Sequence, residues 1–162
     1  NRIHLSYEAR IALIEGDEHI TSALDKRFQL EFYRPHIAIL TNLSWSTETD
    51  HATPEAYLST YQSFSVSIER EGKLIYFGGD DTVSQLAGRP GDITAIPFEE
   101  HPVVEKDGQT FLHTRYGDYP VRIPNRYFLI NLNAARLACR QLGVKDADFY
   151  QALSEYSLSL PI

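Results

Sequence analysis

The chain has 162 residues, 43% of them hydrophobic, with ten Tyr and eight Phe, a composition suited to one packed domain and not to a disordered tail. Fifteen basic residues stand against 22 acidic ones, and the resulting charge of −7 provides no basic stripe for a nucleic-acid backbone. No apolar run approaches the roughly 18–20 residues that a membrane helix needs, so neither nucleic acid nor membrane insertion is expected of it.

In chain order, the first apolar run covers Ile11 to Ile14 and ends in Glu15, Asp17 and Glu18. Continuous aliphatic residues with polar groups where the run stops are the pattern of a buried parallel strand, here predicted over 10–16. A short helix or turn over 19–25 leads to a second strand over 36–42, which ends in Thr41-Asn42 and reaches Trp45. Thr53-Pro54 supplies an N-cap and a first-turn proline for a helix over 54–66, with Tyr57, Tyr61 and Phe64 at helical spacing. Glu71-Gly72 turns the chain into a strand over 73–78, closed by Gly78-Gly79-Asp80-Asp81. A short helix over 81–87 and a strand over 92–98 follow. Strands alternating with helices imply right-handed crossovers and a mostly parallel sheet.

From about residue 98 the pattern changes. Segments 101–105 and 110–115 flank Asp107-Gly108, the signature of a hairpin, and 119–123 is predicted to add a third antiparallel strand. Phe128, Leu132, Ala135, Cys139 and Leu142 then form one apolar helical stripe, stopped by Gly143. Asp146 is the expected N-cap of a last helix with its stripe on Phe149, Leu153 and Tyr156. The expected fold is α/β: a mostly parallel sheet flanked by helices, a small antiparallel subregion over about 98–123, and two C-terminal helices. With no internal repeat or low-complexity linker, residues 1–162 are expected to form a single domain.

Glu15, Asp17 and Glu18 are the first candidates for chemistry. In open α/β sheets ligands collect at the carboxyl ends of strands, and magnesium takes one or two carboxylates with water and phosphate completing the shell. A solvated acidic turn, with Asp17 or Glu18 capping the next helix, is the alternative. Asp50 and His51 could serve as acid, base or ligand, or lie on the surface near a helix start. His4, His19, His36, His101 and His113 show no metal-ligand spacing, and nothing resembles a nucleophile elbow. Gly78-Gly79-Asp80-Asp81 reads as a strand-end turn, and no G-x-x-x-x-G-K-[ST] phosphate loop occurs in the sequence. Cys139, the single cysteine, excludes an internal disulfide and is expected to be a buried thiol, consistent with a reducing, cytoplasmic setting. The sequence contains no Met, which leads to the expectation of a piece excised from a longer protein.

The strings I-E-G-D-E-H-I-T-S-A-L-D-K-R and Y-R-P-H-I-A-I-L-T-N-L-S-W, continued by G-K-L-I-Y-F-G-G-D-D, I-P-F-E-E-H-P and N-L-N-A-A-R-L-A-C-R-Q-L-G-V, resemble the central domain of the Mur ligases. Within that family the D-K-R and Y-R-P elements are most similar to the branch that recycles murein peptides. The resemblance implies an ATP-dependent amide-bond ligase in peptidoglycan synthesis or recycling, with ATP and magnesium as cofactors. Its partners would be a UDP-linked muramyl substrate and an amino acid or stem peptide. It assigns magnesium ligation to Glu15 and nucleotide contacts to Asn42 and Asn131. The sequence also departs from the family pattern. Where the family reads W-D-H, this chain reads Trp45-Ser46-Thr47, so Ser46 and Thr47 replace the acid and the metal-associated histidine. Where the family reads G-x-H-N, the chain has Asn125-Arg126-Tyr127-Phe128, without the adenine-contacting asparagine. The family's phosphate loop would precede the segment and its C-terminal domain would follow it, so ATP and magnesium are expected in the parent protein and the isolated chain is expected to be inactive. Two readings stay open: part of a working ligase, or a non-catalytic paralogue serving as a binding or regulatory module. Ligases that extend folate with glutamate or build cyanophycin are a related alternative.

Overall fold

The computed structural model describes residues 7–16, 18–88, 91–121 and 125–159. Three parallel strands, β1 (Ile37–Leu40), β2 (Lys73–Phe77) and β3 (Thr94–Phe98), form one sheet in the order β1-β2-β3. Their register sets Ile39 beside Ile75 and Ile75 beside Ile96. Two helices make the crossovers, α1 (Pro54–Ser67) and α2 (Asp81–Ala87). The Thr53 hydroxyl accepts from Ala56 N–H at 3.2 Å, so the expected cap starts α1 at Pro54.

Alternation along β2 sends its side chains to two cores. Leu74 joins Ala38, Leu40, Phe64, Ile68, Val83 and Leu86 beneath α1 and α2. Ile75 and Phe77 point the other way, against Phe98 and Ile130, Ala134 and Leu137 of α3 (Arg126–Gln141). Leu74 and Ile75 are both fully inaccessible, as a central strand covered on both faces requires. Burial of each side chain of this size contributes about 1.5–3 kcal/mol.

The second sheet is antiparallel, with β4 (Val103–Lys106), β5 (Gln109–Thr114) and β6 (Gly117–Pro120). Asp107 and Gly108 both adopt positive φ, 51° and 73°, as the expected two-residue hairpin turn demands. The third strand starts earlier than predicted, at Gly117. Val121 N–H still donates to Thr110 O at 3.0 Å, and residues 122 and 123 lie outside the described residues. Leu112 and Val121 pack with Leu129 and Leu132 of α3 and Tyr150 of α4 (Asp146–Ser159) in a third core.

Three sequence expectations are corrected here. Residues 10–16 form no strand: Leu13 is 95% exposed and Ile11 and Ile14 about 60%, because no described strand lies alongside to supply a ladder or a covering face. The apolar stripe of α3 is also displaced. Ala135 and Leu142 are exposed and Cys139 is half-buried, whereas Leu129, Ile130, Leu132, Ala134 and Leu137 are buried. A helix wedged between two sheets needs two apolar faces; the single stripe catches Phe128 and Leu132 on the face toward the antiparallel sheet and misses Ile130, Ala134 and Leu137 on the other. Asp146 does not cap α4 in the expected way; its side chain accepts from Arg136 Nη1 at 2.9 Å. In α4 it is Tyr150, between half-buried Phe149 and Leu153, that is buried, and the side chain of Tyr156 lies outside the described residues.

Candidate functional site

The carboxyl ends of the parallel strands lead into three short segments: Thr41-Asn42 after β1, Gly78-Gly79-Asp80 after β2, and Glu99-Glu100 after β3. Asp80 joins two of them. Its Oδ1 accepts from Val83 N–H at 3.0 Å, capping α2, and its Oδ2 accepts from Leu43 N–H at 3.2 Å. The strand-end turn expected at Gly78-Gly79 is therefore held by a carboxylate already in use. A Cβ on Gly79 would meet the Phe77 ring at 2.4 Å, so that glycine answers to close approach, whereas one on Gly78 would meet only the movable tip of the Glu99 side chain at 2.8 Å. Helix α3 reaches the same rim. Asn133 Nδ2 donates to Glu99 O at 2.7 Å, and Arg126 Nε lies 3.4 Å from Glu100 Oε2.

The acidic cluster separates in three dimensions. Glu15 is exposed in a segment without regular structure, and Asp17 lies outside the described residues. Glu18 is half-buried, and its Oε2 accepts from Tyr61 OH at 3.2 Å. Burial, together with the neighbouring Tyr57 and Glu18, pushes the Tyr61 hydroxyl well above the ordinary tyrosine range, so it stays a donor.

The loop from Trp45 to His51 works as a fastener. Trp45 Nε1 donates to His51 O at 3.1 Å, and Ser46 O accepts from Thr49 N–H and Oγ1, so Ser46 forms a turn with Thr47 exposed inside it. Asp50 Oδ2 accepts from Ile20 N–H at 3.0 Å and sits 3.2 Å from His19 Nδ1; the Ile20 amide holds this carboxyl below its usual range. His51 is buried, not on the surface near the helix start. Its ring stacks on Phe28 with centroids 3.8 Å apart and meets the Tyr57 edge at 5.1 Å. Because the Thr60 hydroxyl donates to Ala56 O, its oxygen accepts from His51 Nε2 at 3.0 Å, which leaves Nδ1 buried without a partner. Burial lowers the His51 pKa and keeps the ring neutral. Asp50 and His51 thus tie residues 18–33 to α1, and the contacts they make are those of packing.

Asn42 and Asn131 are both exposed, Asn42 with its Oδ1 accepting from Thr41 Oγ1 at 3.4 Å. The asparagine that sequence reasoning passed over is Asn133, two positions along and buried, whose signal was only its place among the apolar residues of α3. Among the described residues no three His, Cys, Asp or Glu side chains come together in a way that could hold a cation. Glu15 is a single accessible carboxylate in a segment without regular structure.

No family model matches the chain. Among curated proteins it is 27% identical over 134 residues to UDP-N-acetylmuramoylalanine–D-glutamate ligase of Halalkalibacterium halodurans, covering 77% of this chain and 29% of that protein. It is also 27% identical over 158 residues to UDP-N-acetylmuramate–L-alanine ligase of an Arthrobacter species, covering 91% of this chain and 32% of that one. Among solved structures it is similar to the UDP-N-acetylmuramate:L-alanyl-γ-D-glutamyl-meso-diaminopimelate ligase of Neisseria meningitidis, with a TM-score of 0.69 at 21% identity over 86% of this chain and 46% of that one. A MurF from Acinetobacter baumannii matches with a TM-score of 0.57 at 18% identity, covering 77% of this chain and 30% of that one. The chain therefore spans about a third of the length of the curated relatives it matches. The chain is similar to Mur ligases along most of its length and shares the α/β fold of the matched part of the Neisseria ligase.

Proposed function

We propose that the protein carrying this chain is an ATP-dependent ligase that forms an amide bond on a UDP-linked muramyl substrate, in peptidoglycan synthesis or in murein recycling. Residues 1–162 would be its central domain, inactive alone. The observation that carries the reading is the rim where three parallel strands end together, with Asn42 exposed after β1 and α3 bonded to the segment after β3. Strand ends of this kind are where open α/β sheets hold ligands. ATP would activate the muramyl carboxylate as an acyl phosphate, and the amine of an amino acid or stem peptide would displace phosphate. Glu15 is proposed as a magnesium ligand, with Asn42 and Asn131 as nucleotide contacts. The reading takes the cytoplasm as the compartment; among the described residues no helix is long and apolar enough to cross a membrane.

The test is ATP consumption by the whole protein with UDP-N-acetylmuramate and a short stem peptide present together or singly. ADP formation that requires both supports the reading, and its absence sinks it.

A second reading has its own support. Ser46 and Thr47 stand exposed where the family places an acid and a histidine, and Asp50 and His51 are engaged in packing. On this reading the protein is a non-catalytic paralogue that keeps the fold as a binding or regulatory module. Saturable binding of the UDP-linked substrate with no ADP formed would select it.

A further inference from the structure

Helix α4 is docked over an unfilled space. A cavity of about 360 Å³ lies between it, α3 and the antiparallel sheet, with His101, Tyr116, Arg136, Asp146 and Tyr150 in its wall. The first turn of α4 carries a second shortfall: Asp146 Oδ2 accepts from Arg136 Nη1 at 2.9 Å, while Oδ1 is buried with no donor. An interface short of contacts and of a hydrogen bond opens more readily than a filled core. What closes it is Tyr150, which is 4% exposed, packs with Leu112, Val121, Leu129 and Leu132, and stacks on Tyr119 with centroids 5.2 Å apart.

The hydroxyl of Tyr150 is tied to the loop before β4 by one bond. Pro102 O can only accept, so His101 Nδ1 carries the hydrogen and donates to it at 2.9 Å. Nε2 is then a bare acceptor and takes the Tyr150 hydroxyl at 2.6 Å. The ring is 3% exposed and uses both nitrogens, and this arrangement exists only while it is neutral. A proton on Nε2 makes it a second donor, and the Tyr150 hydroxyl must give up the bond that it donates. The surroundings do nothing to compensate the charge. Burial opposes it, and so do Arg136 of α3 and His113 of β5, which face the ring from the elements packed around it. The nearby acids are engaged elsewhere. Asp146 of α4 pairs with Arg136, Glu100 with Arg126, and the Glu99 side chain lies against Gly78. Tyr116 and Tyr119 face Tyr150.

We propose that His101 and Tyr150 form a proton-operated latch, in which one proton taken up by His101 releases Tyr150 and undocks α4 from the antiparallel sheet. The open form exposes the ring and binds the proton with the affinity of an ordinary histidine, so opening becomes more frequent as the pH falls below about 6.5 and reverses on return to neutrality. The inference goes beyond the ligase reading and uses none of Glu15, Asn42 or Asn131.

Hydrogen exchange of the protein at pH 7.5 and 5.5, corrected for the intrinsic rate at each pH, tests the latch. Amides of α4 over 146–155 should exchange through an opening separate from, and more frequent than, the one that exposes β2. Its opening constant should rise about tenfold between the two pH values, the amount that one proton binding near pH 6.5 supplies. His101→Gln should abolish the rise, and His51→Gln, which alters the other buried histidine, should leave it in place. Tyr150→Phe removes the hydroxyl and keeps the ring, so it should loosen α4 at pH 7.5 while the rise persists. No rise in the unaltered protein, a rise retained by His101→Gln, α4 unchanged in Tyr150→Phe, or one opening constant shared by α4 and β2 would each overturn the proposal.

Discussion

His51 lies flat on Phe28, ring centroids 3.8 Å apart and planes within 5° of parallel, and this contact holds the segment before β1 against α1. Stacked pairs contribute about 0.5–1.5 kcal/mol beyond the area they bury. His51→Ala should therefore lower stability by about 2 kcal/mol, stack and cavity together. Phe28→Ala should share the loss, so the double variant should fall short of the sum by about 1 kcal/mol in urea unfolding. Strict additivity would show that the two rings do not support one another.

Two buried histidines, His51 and His101, have their pKa values lowered by desolvation. The unfolded chain then binds protons more readily than the folded one below the ordinary histidine value near 6.5. Stability should be undiminished above that value and fall as the pH drops through it towards 5, before the carboxylates titrate. Urea midpoints at pH 7.5 and 5.5 check this, and a combined His51→Gln, His101→Gln variant should show a flatter profile. A midpoint that rises on acidification would have the wrong sign.

Much of the architecture was legible in the sequence because local signals and the sheet agree there. Thr53-Pro54, Asp107-Gly108 and Gly143, with φ of 89°, each fixed a boundary through one residue's conformational preference. The strand over 10–16 misled because an apolar run becomes a strand only beside a partner, and pairing is not a local property. The stripe on α3 misled because that helix serves two sheets. Of the candidate site, the strand ends at Asn42 and Asp80 were legible. The burial of His51 under Phe28 was not, since it depends on a contact 23 positions back along the chain. The choice of Asn131 over Asn133 came from motif spacing, which does not say which asparagine faces inward.

Those two asparagines should part cleanly under substitution. Asn133 donates to Glu99 O at 2.7 Å and accepts twice from Arg136, so Asn133→Ala should cost about 2–3 kcal/mol by leaving buried partners unsatisfied. Asn131 is exposed, and Asn131→Ala should change stability by less than about 0.5 kcal/mol. On the proposed function, Asn131→Ala should instead raise the KM for ATP. Equal thermal shifts in the two variants would contradict the assignment.

Asp80 both caps α2 and receives Leu43 N–H, whereas its neighbour Asp81 is exposed in the first turn. Asp80→Ala should lower stability by about 2 kcal/mol and Asp81→Ala by about 0.5 kcal/mol or less. Asp80→Asn, which keeps an acceptor for Val83, should recover about half the loss. Chemical denaturation of the three variants checks the order, and a larger effect at Asp81 would refute the capping role.

The central claim is that the rim at the end of the parallel sheet belongs to an amide-forming ligase, and product analysis tests it most directly. The whole protein is incubated with ATP, magnesium, UDP-N-acetylmuramate and a stem peptide, and the mixture is analysed by mass spectrometry alongside ADP. The account expects the condensation product, one per ADP formed, and its loss in Glu15→Ala with the fold intact. ADP without the condensed product, or no turnover of either nucleotide or substrate, would contradict it.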